Sequence, residues 1–123
     1  MKRHMLLAMG LLVVLASFAG SARADEVALV TGEHWTKSTE DQKKAYLIGI
    51  ANMAQVEAAY QGSTPQDAQS LIPRMQKGLK GQTLDSVREG LNKWYAANPA
   101  KANQPVIETI WFEMVVPGLQ TNK

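Results

Sequence analysis

From residue 39 onward, apolar side chains recur along the chain at helical rather than strand spacing, in four blocks separated by polar or Pro/Gly-containing breaks. The first block runs from Thr39 to Gln61. At ~100° per residue, Tyr46, Leu47, Ile50, Met53, Ala54 and Ala58 share one face, and Asp41, Lys44, Asn52 and Gln55 lie opposite. Ser38 reads as the N-cap, Glu40 and Asp41 put acidic groups where the positive end of a helix favours them, and Gly62 reads as the stop. A second block opens at Thr64-Pro65, cap and first helical residue, and carries Ala68, Leu71, Ile72, Met75 and Leu79 on one face. Pro73 interrupts it without changing its phase, which predicts a kink there, and Gly78 and Gly81 loosen its end. The third block starts after Thr83, with Asp85 in its first turn and a stripe of Leu84, Val87, Leu91, Trp94 and Tyr95. Gly90 flanks that stripe where a neighbour can approach closely, and Asn98-Pro99 is the stop. The fourth follows Pro105 and turns Val106, Ile107, Ile110, Trp111, Met114 and Val115 inward, with Pro117-Gly118 reading as its close.

These blocks predict an all-α fold: a compact bundle or orthogonal array of about four amphipathic helices, the second kinked at Pro73. The one short apolar run outside them, Val27 to Val30, fits either a helical turn or a docked extended segment. No internal repeat or long linker is evident, and Trp35 is expected to tuck over one end of the bundle.

The N-terminus changes how the composition is read. Met1-Lys2-Arg3-His4 is positive, Met5 to Phe18 is apolar, and Ala22 and Ala24 hold the small-residue positions of a cleavage site, the three parts of a secretory signal peptide. The apolar run is shorter than the ~20 residues a membrane span needs. Residues 1–24 are therefore expected to be a signal peptide and 25–123 a single helical domain working in the periplasm, with no membrane insertion after cleavage. Lys2, Arg3 and Arg23 would leave with the signal, which turns the basic excess of the whole chain (13 Lys and Arg against 11 Asp and Glu) into a slight acidic one. The basic pI of about 9.0 is thus no argument for a nucleic-acid partner. No cysteine is present, so stability has to come from packing alone.

Chemistry is sparse. His34 is the one histidine outside the signal, and neither zinc nor haem ligation is expected from it alone; the carboxylates are too scattered for a calcium loop. No cofactor, metal or catalytic residue is assigned, and an enzyme is not expected. Gly78-Leu79-Lys80-Gly81 matches a nucleic-acid-clamping GxxG loop in four letters only and lacks the surrounding α/β pattern. Three side chains stand out as candidate partner or ligand contacts. Glu57 lies about 20° from Ile50 on the helical wheel; either the stripe opens to solvent there and a basic neighbour pairs with it, or it is a cleft carboxylate. Phe112 falls on the outer face of the fourth block near Thr109 and Glu113, as either a lone exposed aromatic or an interface anchor. His34 is the third, as a surface contact. Arg74, Lys77 and Lys80 line the outside of the second block.

The ordered landmarks also carry a resemblance. Thr31-Gly32-Glu33-His34-Trp35 is followed by Tyr46-Leu47-Ile48-Gly49-Ile50, then by Thr83-Leu84 with Val87, Leu91 and Trp94-Tyr95 leading to Asn98-Pro99, then by Pro105-Val106-Ile107. This order resembles the periplasmic immunity proteins of the Rap/Tai type, all-helical proteins that protect bacteria from cell-wall amidases delivered by type VI secretion. The sequence departs from that family in lacking its cysteine pair and in having Met53 where a second glycine is expected. The resemblance implies a helical protein that acts by binding a periplasmic or exported protein, such as a cell-wall amidase effector. The alternative is a periplasmic module for a small molecule or envelope stress, using a pocket between helices with Glu57 at its mouth. A homodimer through Phe112 and the fourth helix is a further expectation.

Overall fold

The structure is a computed structural model and describes residues 27–61 and 70–122; the signal segment and the Thr64-Pro65 helix start lie outside the described residues. Five helices and no strand make up the described part, and 78% of it is helical, in agreement with the all-α bundle expected.

The sequence pattern missed the first helix. α1, Gly32–Lys37, is six residues long and is started by a reciprocal cap in which His34 Nδ1 accepts the Thr31 backbone N–H at 3.1 Å. Ser38 ends α1 instead of opening the next helix: its N–H reaches Trp35 O at 3.1 Å and its hydroxyl donates to His34 O at 2.7 Å. The cap of α2, Glu40–Gln61, is Thr39, whose Oγ1 accepts the Gln42 N–H at 3.1 Å while Gln42 Oε1 accepts the Thr39 N–H at 2.9 Å. Each pair satisfies two donors that a helix start otherwise leaves open.

α3 is Leu71–Gly78 with Ser70 as its cap residue, so Pro73 is its third residue, and the kink expected there is not confirmed. A first-turn residue has no intrahelical acceptor for its N–H, and proline loses nothing by lacking one there. α4, Leu84–Ala97, follows the sequence closely: Thr83 Oγ1 accepts from Ser86 N at 3.0 Å, Ser86 Oγ accepts from Thr83 N at 2.8 Å, and the helix stops before a short 3-10 turn, Pro99–Lys101.

α5 runs past its expected end. It consists of an α segment, Val106–Ile110, a π segment, Trp111–Val115, and a second α segment, Val116–Thr121, so Pro117-Gly118 lies inside it. Pro117 has no N–H to give and its ring crowds the carbonyl four residues back. The widened turn ahead of it, where the Val116 N–H reaches Trp111 O, opens the ladder and lets the helix continue. Gly118 has a second role. A Cβ on it would fall 1.8 Å from Gly78 O, and one on Gly78 would fall 2.4 Å from Val115 O. The two glycines therefore let α3 and α5 cross at backbone contact, and Gly78 is a buried packing position rather than a loose end.

All five helices feed one core: Trp35 from α1, Leu47 from α2, Met75 from α3, Val87, Leu91 and Tyr95 from α4, and Val106, Ile110 and Val115 from α5. Trp35 does more than cover the bundle end, being almost fully buried with its indole N–H donating to Asn92 Oδ1 at 2.8 Å and its ring edge-on to Tyr46. Thr109, read as lying on the outer face, is fully buried: its hydroxyl lies 2.8 Å from Tyr95 Oη and accepts from Gln104 Nε2 at 2.9 Å. Tyr95 Oη also donates to Gln104 O at 2.9 Å, which ties the 98–105 connector to the core. The chain docks there from Val30 onward, with Val106 N donating to Val30 O at 2.7 Å and Gly32 N to Gln104 O at 3.0 Å, while Val27 and Leu29 of the short apolar run are exposed.

Candidate functional site

α2 is the longest helix, and only part of it is packed. Lys43, Leu47 and Ala54 are its buried residues. Met53 is 64% exposed, Val56 63% and Tyr60 89%. At ~100° per residue, these three and Gly49 lie along one face, turned away from the Leu47 and Ala54 side. Met53 and Ala58, both expected inside, are exposed, Met53 on this face and Ala58 on the side opposite to it. The reason is geometric: among the described residues no neighbour covers the helix at Ala58, and for Met53 the inward direction is rotated from that expected. The result is an exposed aliphatic and aromatic stripe on a helix that buries only Lys43, Leu47 and Ala54.

On the packed side of the same stretch lies a cleft of about 330 Å³ between α2, α3 and α4. Its walls are Leu47, Ile50, Ala54, Met75, Leu79, Val87 and Ile110, and its rim carries Gln55, Gln76, Gln82 and Thr83. The small side chains of Ala51 and Ala54 are its lining on the α2 side next to Ile50. Among the described residues, no ionisable side chain lines it.

Of the sequence-predicted contacts, Glu57 is half-buried on α2 between stripe and packed face. It does not line the cleft, so it is not the carboxylate at a pocket mouth, and among the described residues no basic group lies within ion-pair distance of it. His34 is exposed on α1, with its Nδ1 engaged by the Thr31 backbone. Phe112 is 60% exposed, as read, and shares a shallow groove of about 170 Å³ with Leu71, Met75, Ile107, Glu108 and Trp111. The guanidinium of Arg74 stands 5.1 Å from the Trp111 ring centre beside it, a cation–π contact that occupies one member of the basic triplet on α3. The structure thus places the three candidates on three different helices and brings no two of them into one site.

The strongest electrostatic feature is at the other end of α2. Glu40 Oε1 accepts from Lys43 Nζ at 2.9 Å and Glu40 Oε2 from Asn92 Nδ2 at 3.3 Å. Arg88 Nε lies 3.2 Å from the same oxygen, near enough for charge attraction although its N–H is not aimed for a hydrogen bond. The Lys43 hydrogen bond, above all, holds the Glu40 carboxyl below its ordinary range. Lys43 is itself buried, with its ammonium 5.7 Å from the Trp35 ring centre. Asn92 joins Glu40 to the Trp35 indole, so the cluster anchors the start of α2 to α4 and is structural in its connections. Burial raises the Tyr46 and Tyr95 phenols.

Among the described residues, no group of three His, Asp or Glu side chains is arranged to hold a metal, and no helix is long and apolar enough to cross a membrane. No family model matches this chain, and no curated protein or solved structure is significantly similar to it.

Proposed function

We propose that this chain is an exported protein that acts by binding another protein, and that the outer face of α2 is the contact surface. The observation that carries the reading is the exposure of Met53, Val56 and Tyr60 together on one helical face. Contiguous exposed apolar side chains on an ordered helix favour association, and a helix presenting i, i+3 and i+7 anchors suits a partner groove. Tyr60 and Met53 are of the residue types enriched at interface centres, and Glu57, beside them, supplies a polar edge that sets register. Phe112 with Leu71 is a second, smaller apolar patch. The specific form worth testing first is an immunity-type inhibitor of an exported cell-wall amidase. It is supported by the order of landmarks from Thr31 to Ile107 that resembles the Rap/Tai proteins, and by the signal-like N-terminus.

The test is affinity capture from periplasmic extract, comparing the native chain with a Met53→Lys/Val56→Lys variant. Both positions are on the surface, so the variant is expected to fold and to lose the captured protein. Capture of the same protein by both would move the contact elsewhere, and capture of nothing by either would end the protein-binding reading. For the inhibitor form, a small Cys/His cell-wall hydrolase encoded next to this gene should be bound and inhibited by the purified protein. A hydrolase of that kind that is neither bound nor inhibited removes that form.

A further inference from the structure

We infer that the cleft between α2, α3 and α4 is a binding site for a small neutral amphiphile, a single aliphatic chain ending in a hydrogen-bonding but uncharged head. This is independent of the protein-binding surface, which lies on the opposite side of α2. The walls fix the body of the ligand. Leu47, Ile50, Ala54, Met75, Leu79, Val87 and Ile110 offer only hydrocarbon and thioether surface, against which an aliphatic chain gains from leaving water.

The rim fixes the head. Gln55 on α2, Gln76 on α3, and Gln82 and Thr83 ahead of α4 carry amide and hydroxyl groups, which can donate as well as accept. Among the described residues no cation or carboxylate lines the cleft, so an ionised head drawn into it would lose hydration with no countercharge from these residues to replace it. The size fixes the scale. About 330 Å³ lies at the lower end of small-molecule pockets, larger than a single aliphatic side chain of a docked protein needs. Ala51 and Ala54 keep the space open, since any larger residue at these positions would fill it from α2.

The experiment is calorimetric titration of the full chain with 1-hexanol, 1-octanol, 1-decanol and 1-dodecanol, and with decanoate and decylammonium as charged counterparts. The expected result is saturable one-to-one binding whose affinity rises about fourfold per methylene, then levels off when the chain outgrows the cleft. Both charged counterparts should bind more weakly than decanol. Ala54→Trp and Ala51→Phe, each verified as helical by circular dichroism, should weaken decanol binding by more than about tenfold, the equivalent of losing two buried methylenes. Met53→Lys/Val56→Lys should leave it unchanged. If neither filled variant folds, NMR shift changes on decanol addition to the native chain should fall on Leu47, Leu79 and Val87. Four results would overturn the inference: non-saturable partitioning, decanoate binding as tightly as decanol, native-like binding by the folded filled variants, or loss of binding in the Met53→Lys/Val56→Lys protein, which would place the alkanol on the stripe.

Discussion

The two halves of α2 live in different environments. The first, from Glu40 to Leu47, is held by a reciprocal cap, the Glu40–Lys43–Arg88–Asn92 cluster and the Trp35 and Tyr46 rings. The second, from Ile50 onward, borders the cleft on its inner side as far as Gln55 and carries exposed Met53, Val56 and Tyr60 on its outer side. Both halves have helix-forming sequence and apolar side chains. What separates them is whether, among the described residues, a neighbouring helix covers those side chains. Hydrophobic residues at the first end are packed; those at the second are exposed and form the contact surface proposed above, and this division is the core of the functional reading.

The comparison breaks most severely if the closed end is opened. Trp35→Ala removes the largest fully buried side chain, together with the indole that satisfies Asn92. It should cost about 3–5 kcal/mol, read from the midpoint of urea unfolding. Gly118→Ala attacks the α3–α5 crossing, where the new methyl meets the Gly78 carbonyl and the two helices have to separate. A loss of about 1–3 kcal/mol is expected, with the same measurement, and no loss would mean that the crossing is looser than described. Tyr95→Phe keeps the ring and deletes the hydroxyl shared with Thr109 and the Gln104 carbonyl. Its cost should be about 1–2 kcal/mol, accompanied by faster amide exchange in the 98–105 connector.

Smaller effects sharpen the contrast. Glu40 has a folded-state pKa below its unfolded value, chiefly through Lys43, so its contribution is complete above the unfolded value of ~4.3 and disappears as pH falls through the lower folded one. Thermal midpoints measured downward from neutral pH should therefore drop in acid, and the acid-dependent part of that drop should shrink in Glu40→Gln. An identical profile in both proteins would remove Glu40 from the account. At the open end, Met53→Lys should alter stability by no more than about 0.5 kcal/mol, which thermal unfolding can verify; a larger loss would mean that Met53 is packed after all.

The sequence disclosed elements whose signals are local. α4 was legible from its Thr83 cap to its Asn98-Pro99 stop because each signal acts within a turn of itself. The inward set on α5 was legible too, since Val106, Ile110 and Val115 keep phase across the π segment. What failed depended on neighbours. Pro117-Gly118 reads as a stop in isolation, but the widened turn before it and the need for a small residue against Gly78 make both residues internal. Pro73 reads as a kink only if the helix begins well before it; in α3 it sits in the first turn. α1 escaped notice because its cap uses a histidine ring in place of the usual Glu or Gln. The cleft was expected only as an unspecified pocket between helices. Its walls come from four separate stretches, and nothing in the spacing of Ala51 and Ala54 shows that α3 stands too far away to fill the gap. Phe112 was correctly placed outside, whereas the exposed stripe was partly misassigned because Met53 lies close in angle to the half-buried Tyr46 and Ile50 rather than to Leu47 and Ala54.

Native-state hydrogen exchange along α2, resolved residue by residue, tests the division most directly. Amides around Leu47 should exchange only through global unfolding, at the rate of those in Leu91 to Tyr95, while amides from Val56 to Gln61 should exchange orders of magnitude faster through local opening. Uniform protection from Leu47 to Gln61 would contradict the account, because it would show that the second half is covered and held as firmly as the first.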